Sequence, residues 1–435
     1  MKKVCWLAAF ACAALWTSLC DAQDAASAPQ ASRGMQMLSI DEAVNAAVDH
    51  NFNLLAARAN LTIAEAQMIS ARLRPNPVLS ASADSLDWLG TPFTEANGLG
   101  PSQYSIRVDM PFERGGKREL RMQTASFEKQ IAEAEFADAV RRLRLDVMVA
   151  CIDVLEAKAK LQLARDNLNT FERLVQVNQR RLTSGAIPPV ELTRVRVAML
   201  QYRNTERAAE LAVVQARVRL MPLIGRTADQ APIDVDGELS IMPAANAPTL
   251  ATLQQLAKDA RPDLNALRQD QARSQADLKL QLAQGKVDYT LGVAFERQRG
   301  ALGSGNALGA FFSVPLPIFN RNQGEIARAE AQRQKSTTSI TALETDVSGE
   351  VAAAYQEFET ARRVLQDIET DLLTPSREAR ETTAYVYQAG ATSLLDVLDA
   401  QRAFNDTMDT YFTAQADYRR AEIKLMTVAG QEVTP

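Results

Sequence analysis

Side chains that enzymes and metal sites depend on are scarce in this chain of 435 residues. His50 is the only histidine, so a site built from several imidazole groups is excluded. Three of the four cysteines lie within the first 20 residues, and Cys151 sits alone in a later apolar run, where a buried thiol is inert. Without a nucleophile–base pair or a metal-ligand pattern, we predict that the chain is not an enzyme and has neither a metal site nor a cofactor.

Long hydrophobic runs are also missing, because no segment after residue 22 has 18 or more uninterrupted apolar residues. A transmembrane helix is therefore excluded, and a membrane role would have to use β-strands. Residues 1–22 combine two early lysines, an apolar core and a small-x-small site, and they predict a secretory signal peptide. Lipidation at Cys20 is the alternative. The net charge of −5 argues against nucleic acid as a partner.

The chain contains an internal duplication. Gly185 and Gly390 lie in similar turn sequences 205 residues apart, and the same separation relates Gly225 to Gly430. Self-similarity at a fixed distance is the signature of repeated structural units. We therefore predict two structural repeats, joined by a linker and flanked by a flexible N-terminal segment and a short tail. The predicted bounds are 23–38 for the flexible segment, 39–225 for the first repeat, 226–248 for the linker, 249–430 for the second repeat and 431–435 for the tail.

Each repeat is predicted to consist mainly of long helices. No glycine or proline occurs between Gly116 and Gly185, and this stretch as one helix would be roughly 100 Å long. Its apolar residues recur with heptad spacing, which indicates coiled packing against neighbouring helices. The pattern returns at an offset of 204, so one residue has been added between Leu372 and Gly390, where Pro375 should bend or unwind the helix. The predicted helices are 39–72, 117–184, 188–224, 249–260, 263–285, 323–389 and 393–429.

Four segments alternate apolar and polar residues, as strands with two different environments do. They are residues 76–86, 103–112, 288–297 and 307–317. About ten residues is the length of a tilted strand that crosses a bilayer. Four strands cannot close a barrel alone, and an open edge in lipid leaves backbone groups unpaired, so a membrane role requires several chains. Soluble hairpins packed on helices are the alternative.

This layout resembles the TolC family of outer-membrane efflux ducts. The resemblance rests most strongly on Tyr387-Gln388-Ala389-Gly390 and on the run that begins at Leu394 and includes Asp396 and Asp399. Residues 72–77 (Arg-Leu-Arg-Pro-Asn-Pro) and 111–118 (Pro-Phe-Glu-Arg-Gly-Gly-Lys-Arg) resemble the CzcC branch, which serves heavy-metal efflux.

The resemblance implies a mainly α fold with a small β part, in which each chain supplies a duplicated set of long coiled-coil helices and four strands. A homotrimer would form a 12-stranded β-barrel in the outer membrane of a Gram-negative bacterium, in contact with lipid. Its helices would continue as a hollow cylinder across the periplasm. It would work with a periplasmic adaptor of the membrane fusion type and an inner-membrane transporter of the RND type.

The resemblance also assigns residues to a periplasmic gate. In the family, the acids that correspond to Asp396 and Asp399 line the constriction, and three copies would form two carboxylate rings that attract cations. The alternative is that a first-turn aspartate only complements the positive end of a helix. Tyr387 matches the tyrosine that helps hold the tip closed, and Glu191 offers an acid in the first repeat. Thr392 stands where the family often has an arginine, so an arginine-centred latch is not expected in this chain.

Two further groups of residues are predicted to have positions in the duct. The reversals between helices are expected to contact the adaptor through Arg181, Leu182, Ser184, Gly185, Gly390 and Thr392. A strand-to-helix turn at the membrane boundary is expected at Gly115, Gly116, Lys117 and Arg118, where the two basic side chains can meet lipid headgroups. The favoured function is a passive exit duct of a tripartite efflux system for heavy-metal cations. The alternatives are a multidrug or type I secretion duct, or a periplasmic coiled-coil scaffold without a pore.

Overall fold

The computed structural model describes residues 35–86, 102–227, 229–239, 248–300 and 303–431. The predicted signal peptide, most of the predicted flexible segment and nearly all of the predicted tail lie outside these ranges. The helices are α1 Ile40–His50, α2 Phe52–Arg72, α3 Lys117–Thr183, α4 Pro189–Leu223, α5 Leu250–Ala260, α6 Pro262–Gln284, α7 Gln323–Asp367, α8 Leu373–Gln388 and α9 Leu394–Val428, with a π-helical turn at Ile368–Leu372. The strands are β1 Gln36–Leu38, β2 Val78–Asp84, β3 Ser102–Phe112, β4 Ile233–Val235, β5 Tyr289–Gly300 and β6 Gly303–Ser313.

The duplication is visible in the order of the elements. Each repeat has two helices, a β-hairpin, a very long helix, a tight reversal and a last helix. The two hairpins join into one antiparallel sheet with the strand order β2-β3-β5-β6. All four predicted strands are therefore present, and the mainly α fold class with a small β part is confirmed.

The heptad residues of the long helices form the core. In α3, Leu143, Val147, Ala150 and Val154 are all buried, and they pack with α1, α4 and β4 in one cluster. The corresponding residues of α7 pack with α5 and α9 in a second cluster. Because a residue every three or four positions faces the same side of a helix, these seams hold the helices side by side.

The predicted helix 39–72 is wrong, because the chain breaks at Asn51 into α1 and α2. Asn51 has an extended backbone (φ −65°, ψ 122°) and its side chain accepts the Leu54 N–H, which begins α2. Its Nδ2 also donates to the Leu223 carbonyl oxygen at 2.9 Å. The break therefore lets the first repeat satisfy the carboxyl end of α4, which no intrahelical donor can reach.

The predicted helix 323–389 is interrupted by the π turn. The Leu373 N–H bonds to the Ile368 carbonyl oxygen, five residues earlier, so the turn contains one residue more than an α-helix would. The heptad offset predicted the added residue between Leu372 and Gly390. The structure absorbs it earlier, in the π turn between Ile368 and Leu373. Leu372 is consequently 49% exposed, and Leu373 packs against the core in its place. Pro375 follows within the first turn of α8, where its missing N–H costs least.

Two segments predicted to be flexible or linking have fixed structure. Residues 36–38, at the end of the predicted flexible segment, form β1, which pairs in parallel with β4 inside the predicted linker. Asp234 of β4 is buried and binds Lys158 of α3 at 3.2 Å and Arg217 of α4 at 2.9 Å. The small sheet thus fastens both segments onto the helices of the first repeat.

Candidate channel wall and helix tips

The four-stranded sheet has one continuous apolar face. Because side chains alternate between the two faces of a strand, the pairing register decides which residues share a face. In β3, Tyr104, Ile106 and Val108 lie on this face and are exposed. They continue across the pairs with the other strands through Leu79, Phe112, Leu291, Val293, Phe295, Leu308 and Phe312, which are also exposed. An exposed apolar surface of this extent marks a contact with lipid or another chain.

The opposite face of the sheet is polar. Its hydrogen bonds run across the strands: Ser82 Oγ lies 3.0 Å from Ser105 Oγ, and Gln103 Nε2 donates to Glu296 Oε2 at 3.2 Å. Arg107 and Asp109 form an ion pair on the same face. The sheet therefore has one apolar and one polar face, as the alternation in the sequence predicts.

The predicted membrane-boundary turn joins β3 to α3. Gly115 and Gly116 both have left-handed backbones (φ +77° and +70°). Lys117 is buried, and its Nζ donates to the Lys286 carbonyl oxygen and to Asp288 Oδ2, at 2.7 Å each.

Arg118 Nε donates to the Arg72 carbonyl oxygen at 2.7 Å, which ties α3 to the end of α2. The expectation that Lys117 meets headgroups is wrong, because its ammonium group is used inside the protein. The two basic side chains hold the junction between helices and strands.

The two helix reversals have the same hydrogen-bonded geometry. Gly185 and Gly390 adopt left-handed backbones (φ +74° and +79°), which other residues disfavour. After each glycine, an alanine N–H bonds five residues back, Ala186 to Arg181 and Ala391 to Val386. This is the Schellman arrangement, which satisfies the last carbonyls of a helix. Leu182, Ser184 and Thr392 lie at the same reversals, so the structure brings the predicted adaptor-contact residues together at one end of the helices.

A buried contact joins the two repeats at these tips. Tyr387 is 4% exposed, and its hydroxyl donates to Asn178 Oδ1 at 2.7 Å. The Arg181 guanidinium lies 5.0 Å from the centre of the Tyr387 ring and donates to the Tyr387 carbonyl oxygen at 3.5 Å. Burial raises the pKa of the Tyr387 hydroxyl, and the negative charge of Glu191 adds to this. The tyrosine therefore stays neutral and keeps its proton for Asn178.

Asp396 is used as a helix cap. Its Oδ2 accepts hydrogen bonds from the hydroxyls of Thr392 (2.6 Å) and Ser393 (2.7 Å) and from the Ser393 N–H (3.1 Å). These bonds hold the pKa of the Asp396 carboxyl below its ordinary value. Ser393 Oγ in turn accepts the Asp396 N–H, which completes a capping box. The structure therefore agrees with the alternative prediction that Asp396 serves the start of a helix. The second carboxylate oxygen of Asp396 takes no part in the cap. Asp399 Oδ1 lies 3.7 Å from Arg402 Nη1 on the same helix.

Sequence reasoning missed a polar chain that extends the contact between the repeats. Gln401 donates to Asn167 at 3.1 Å and to Asn405 at 2.9 Å, and Asn405 donates to the Tyr202 hydroxyl at 2.9 Å. Asn167 and Gln401 are buried. Gln401 was the available signal, because it stands between Val397 and Phe404 where the four-and-three spacing calls for an apolar residue, and a buried amide requires a partner.

The described residues contain no group of three or more histidine, cysteine, aspartate or glutamate side chains placed to hold a metal ion. Among the helices described above, none has an apolar stretch of the length that a bilayer-spanning helix requires.

Comparisons with known proteins agree with this architecture. The chain is similar to the cobalt-zinc-cadmium resistance protein CzcC of Cupriavidus metallidurans, with 28% identity over 84% of this chain and 83% of CzcC. It is 23% identical to the cation efflux system protein CusC of Escherichia coli K12, over 89% of this chain and 85% of CusC. A membrane protein from Pseudomonas aeruginosa has a similar structure, with a TM-score of 0.74 and 20% identity over 90% of this chain and 92% of that one.

A sequence profile described as outer membrane efflux protein matches residues 43–226 and 253–431. These two segments include most of both repeats and leave out the region between them. Since the profile covers most of the chain, the protein belongs to the outer membrane efflux protein family.

Proposed function

We propose that this chain forms the outer-membrane exit duct of a tripartite efflux system for heavy-metal cations. Three copies enclose a water-filled lumen, with the sheets in the membrane and the helices in the periplasm. A periplasmic adaptor docks on the helix tips, and an RND-type inner-membrane transporter supplies the energy. The duct itself is a passive conduit.

The observation that carries this proposal is the two-faced sheet with two open edges. Among the described strands of one chain, β2 and β6 each pair on one side only, and an unpaired edge cannot be left in lipid. Successive strands in the order β2-β3-β5-β6 are antiparallel. Because four is an even number, β6 of one copy would meet β2 of the next in antiparallel orientation, and three copies would close a ring of twelve strands. The apolar face would then meet lipid, and the polar face would line the lumen.

Two features favour metal cations as the substrate class. The name of the relative CzcC refers to resistance to cobalt, zinc and cadmium. Asp396 also stays ionised because its pKa is lowered, and only one of its oxygens is used by the cap. Its free oxygen and Asp399 would form carboxylate rings near the three-fold axis, and such rings attract cations.

The substrate class is tested in cells. Deleting the gene should sensitise the cells to cobalt, zinc and cadmium salts, and a plasmid copy of the wild-type chain should restore growth. The Asp396→Asn/Asp399→Asn variant should restore it only in part, although it is expressed equally. Sensitivity to dyes and detergents with unchanged metal tolerance would contradict the metal assignment and favour a multidrug duct.

The pore is tested on the purified protein. The mass in detergent should correspond to three chains, and planar bilayers should record discrete, cation-preferring conductance steps. A stable monomer, or a trimer without conductance, would contradict the duct and favour the periplasmic scaffold.

A further inference from the structure

The polar face of the sheet carries one arginine whose charge is held against the strands. Arg107 and Asp109 are two residues apart on β3, so both point to this face. Arg107 Nε and Nη2 lie 2.9 Å and 2.8 Å from Asp109 Oδ1. The Arg107 guanidinium carbon also lies 4.1 Å from the centre of the Phe311 ring on β6. The side chain is thus directed along the sheet and away from the open space above it.

The absence of a side chain at Gly292 makes room for this arrangement. Gly292 is the β5 partner of Asp109. A Cβ atom there would lie 2.3 Å from Asp109 Oδ1, 3.2 Å from Arg107 Nε and 3.3 Å from Phe311 Cβ. Gly309 plays the same part for the aromatic ring, since a Cβ at this position would lie 3.0 Å from Phe311 Cε2. The two glycines therefore leave the space that the ion pair and the Phe311 ring occupy.

The other charged residues of this face are acidic. Asp84 accepts a hydrogen bond from Ser82 at 3.0 Å, and Glu296 accepts one from Gln103 at 3.2 Å. Both donors are neutral, so these two hydrogen bonds do not neutralise the carboxylate charges. Among the described residues of this face, Arg107 is the one cationic side chain. With Arg107 neutralised by Asp109, the face retains an excess of negative charge.

We propose that the Arg107–Asp109 pair determines the ion selectivity of the strand-built part of the duct. The proposal rests on the function proposed above, in which three copies of this face surround the lumen. Asp109 holds Arg107 against the wall, so the fields of Asp84 and Glu296 dominate the lumen and favour cations. A released arginine is long enough to extend into the lumen, where it would repel cations and narrow the passage. Asp109 is therefore a positioning residue for Arg107.

The first test compares two variants that remove the same charge. Asp109→Asn and Glu296→Gln each remove one negative charge per chain, but only Asp109→Asn releases Arg107. Reversal potentials of the purified protein in planar bilayers under a potassium chloride gradient give the permeability ratio of cation to anion. Asp109→Asn should lower this ratio several-fold more than Glu296→Gln does. The double variant Arg107→Gln/Asp109→Asn should return it close to the wild-type value, because the pair has no net charge to lose.

The second test leaves every charge in place. Gly292→Ala should displace the Arg107–Asp109 pair from its position against the sheet. It should therefore reduce both the single-channel conductance and the cation preference. Gly305→Ala is the matched control, since it lies on the same face and a Cβ there has nothing within 4 Å.

Equal shifts for Asp109→Asn and Glu296→Gln, or a double variant that stays shifted, would overturn the proposal. So would equal behaviour of the two glycine variants. These results differ from a failure of the duct itself, in which the wild-type protein would give no conductance.

Discussion

The long helix of the first repeat, α3, runs from Lys117 to Thr183 without a break, whereas its counterpart is divided into α7 and α8 by the π turn Ile368–Leu372. Both nevertheless end in the same reversal, at Gly185 and Gly390. The second repeat has one residue more, and an extra residue in an α-helix would turn every later side chain by about 100°. The π turn absorbs it within the helix, so the packing of Tyr387 beneath the reversal is preserved.

The two reversals also begin their last helices by different means. Pro188 precedes α4 and Pro189 is its first residue. No side chain caps this helix, and the proline rings fix the backbone at its start instead. α9 starts with the capping box of Ser393 and Asp396. The same turn is therefore built once from backbone rigidity and once from hydrogen bonds to a carboxylate. Only the second uses a carboxylate in its cap.

The largest expected effect comes from deleting one residue of α3, and deleting one residue of the π turn in the second repeat is the comparison. Deletion of Arg173 from α3 should rotate Asn178 and Arg181 away from Tyr387 and separate the two repeats at the tip. Deletion of Leu372 should convert the π turn into α-helix and leave Ile368 and Leu373 four residues apart, a spacing that keeps both in the core. Limited proteolysis should cut the first variant at its tip and leave the second resistant. Equal resistance would show that the extra residue has no bearing on register.

A second comparison uses the glycines that end the last helices. Gly225 and Gly430 both have left-handed backbones (φ +72° and +77°), so alanine costs each about 1 kcal/mol. A Cβ on Gly225 would also lie 2.1 Å from the His50 carbonyl oxygen, whereas on Gly430 its nearest neighbour is Ala260 Cβ at 3.2 Å. Gly225→Ala should therefore cost roughly 3 kcal/mol or more. Thermal unfolding in detergent should rank the variants in this order, and the reverse order would contradict the contact with α1.

The buried hydroxyl at the tip distinguishes the repeats chemically, because Leu182 occupies the position equivalent to Tyr387. Tyr387→Phe leaves the fully buried Asn178 oxygen without its donor, at a cost of about 1–3 kcal/mol. Tyr385→Phe is the control, since Tyr385 is 74% exposed. The melting temperature should fall for the first variant alone. An unchanged melting temperature for Tyr387→Phe would mean that the hydrogen bond contributes nothing to joining the repeats.

The smallest effect concerns the two helix starts. Ser393→Ala removes the cap of α9 and should cost about 1 kcal/mol, whereas Pro188→Ala removes no side-chain hydrogen bond and should cost less.

The lowered pKa of Asp396 adds a pH dependence to this end of the second repeat. The folded state favours the carboxylate, so the contribution is complete at neutral pH and is lost as the pH falls below the ordinary aspartate pKa of 3.8. The difference in melting temperature between the wild-type chain and Asp396→Asn should shrink over that range. A constant difference would mean that the carboxylate charge does not stabilise the cap.

Much of the fold follows from local patterns in the sequence. The predicted helix 117–184 agrees with α3 to within one residue, because a stretch without glycine or proline has nothing to end it. The break at Asn51 was missed, although the duplication offered a signal. Arg261 and Pro262 interrupt the equivalent position of the second repeat, where Arg261 is buried and pairs with Asp263 and Glu350 at 2.6 Å each.

The candidate sites were predictable in position and less so in chemistry. Asp396 and Tyr387 were singled out, but their partners Thr392, Ser393 and Asn178 were not predicted as such. Lys117 was expected at a headgroup and is buried against Asp288, which lies 171 residues later in the sequence. No local pattern identifies a partner at that distance.

The sequence by itself determined the length of the helices and the alternation of the strands, because each depends on residues only a few positions apart. It also determined the duplication, because the two copies can be compared directly along the chain. The tertiary structure decided where the extra residue of the second repeat is absorbed, which charges are neutralised and which residues join the repeats. Those outcomes depend on contacts such as Tyr387 with Asn178 and Arg107 with Phe311. Such pairs meet only after the helices and strands have packed, so their energies are not encoded in any local stretch of the chain.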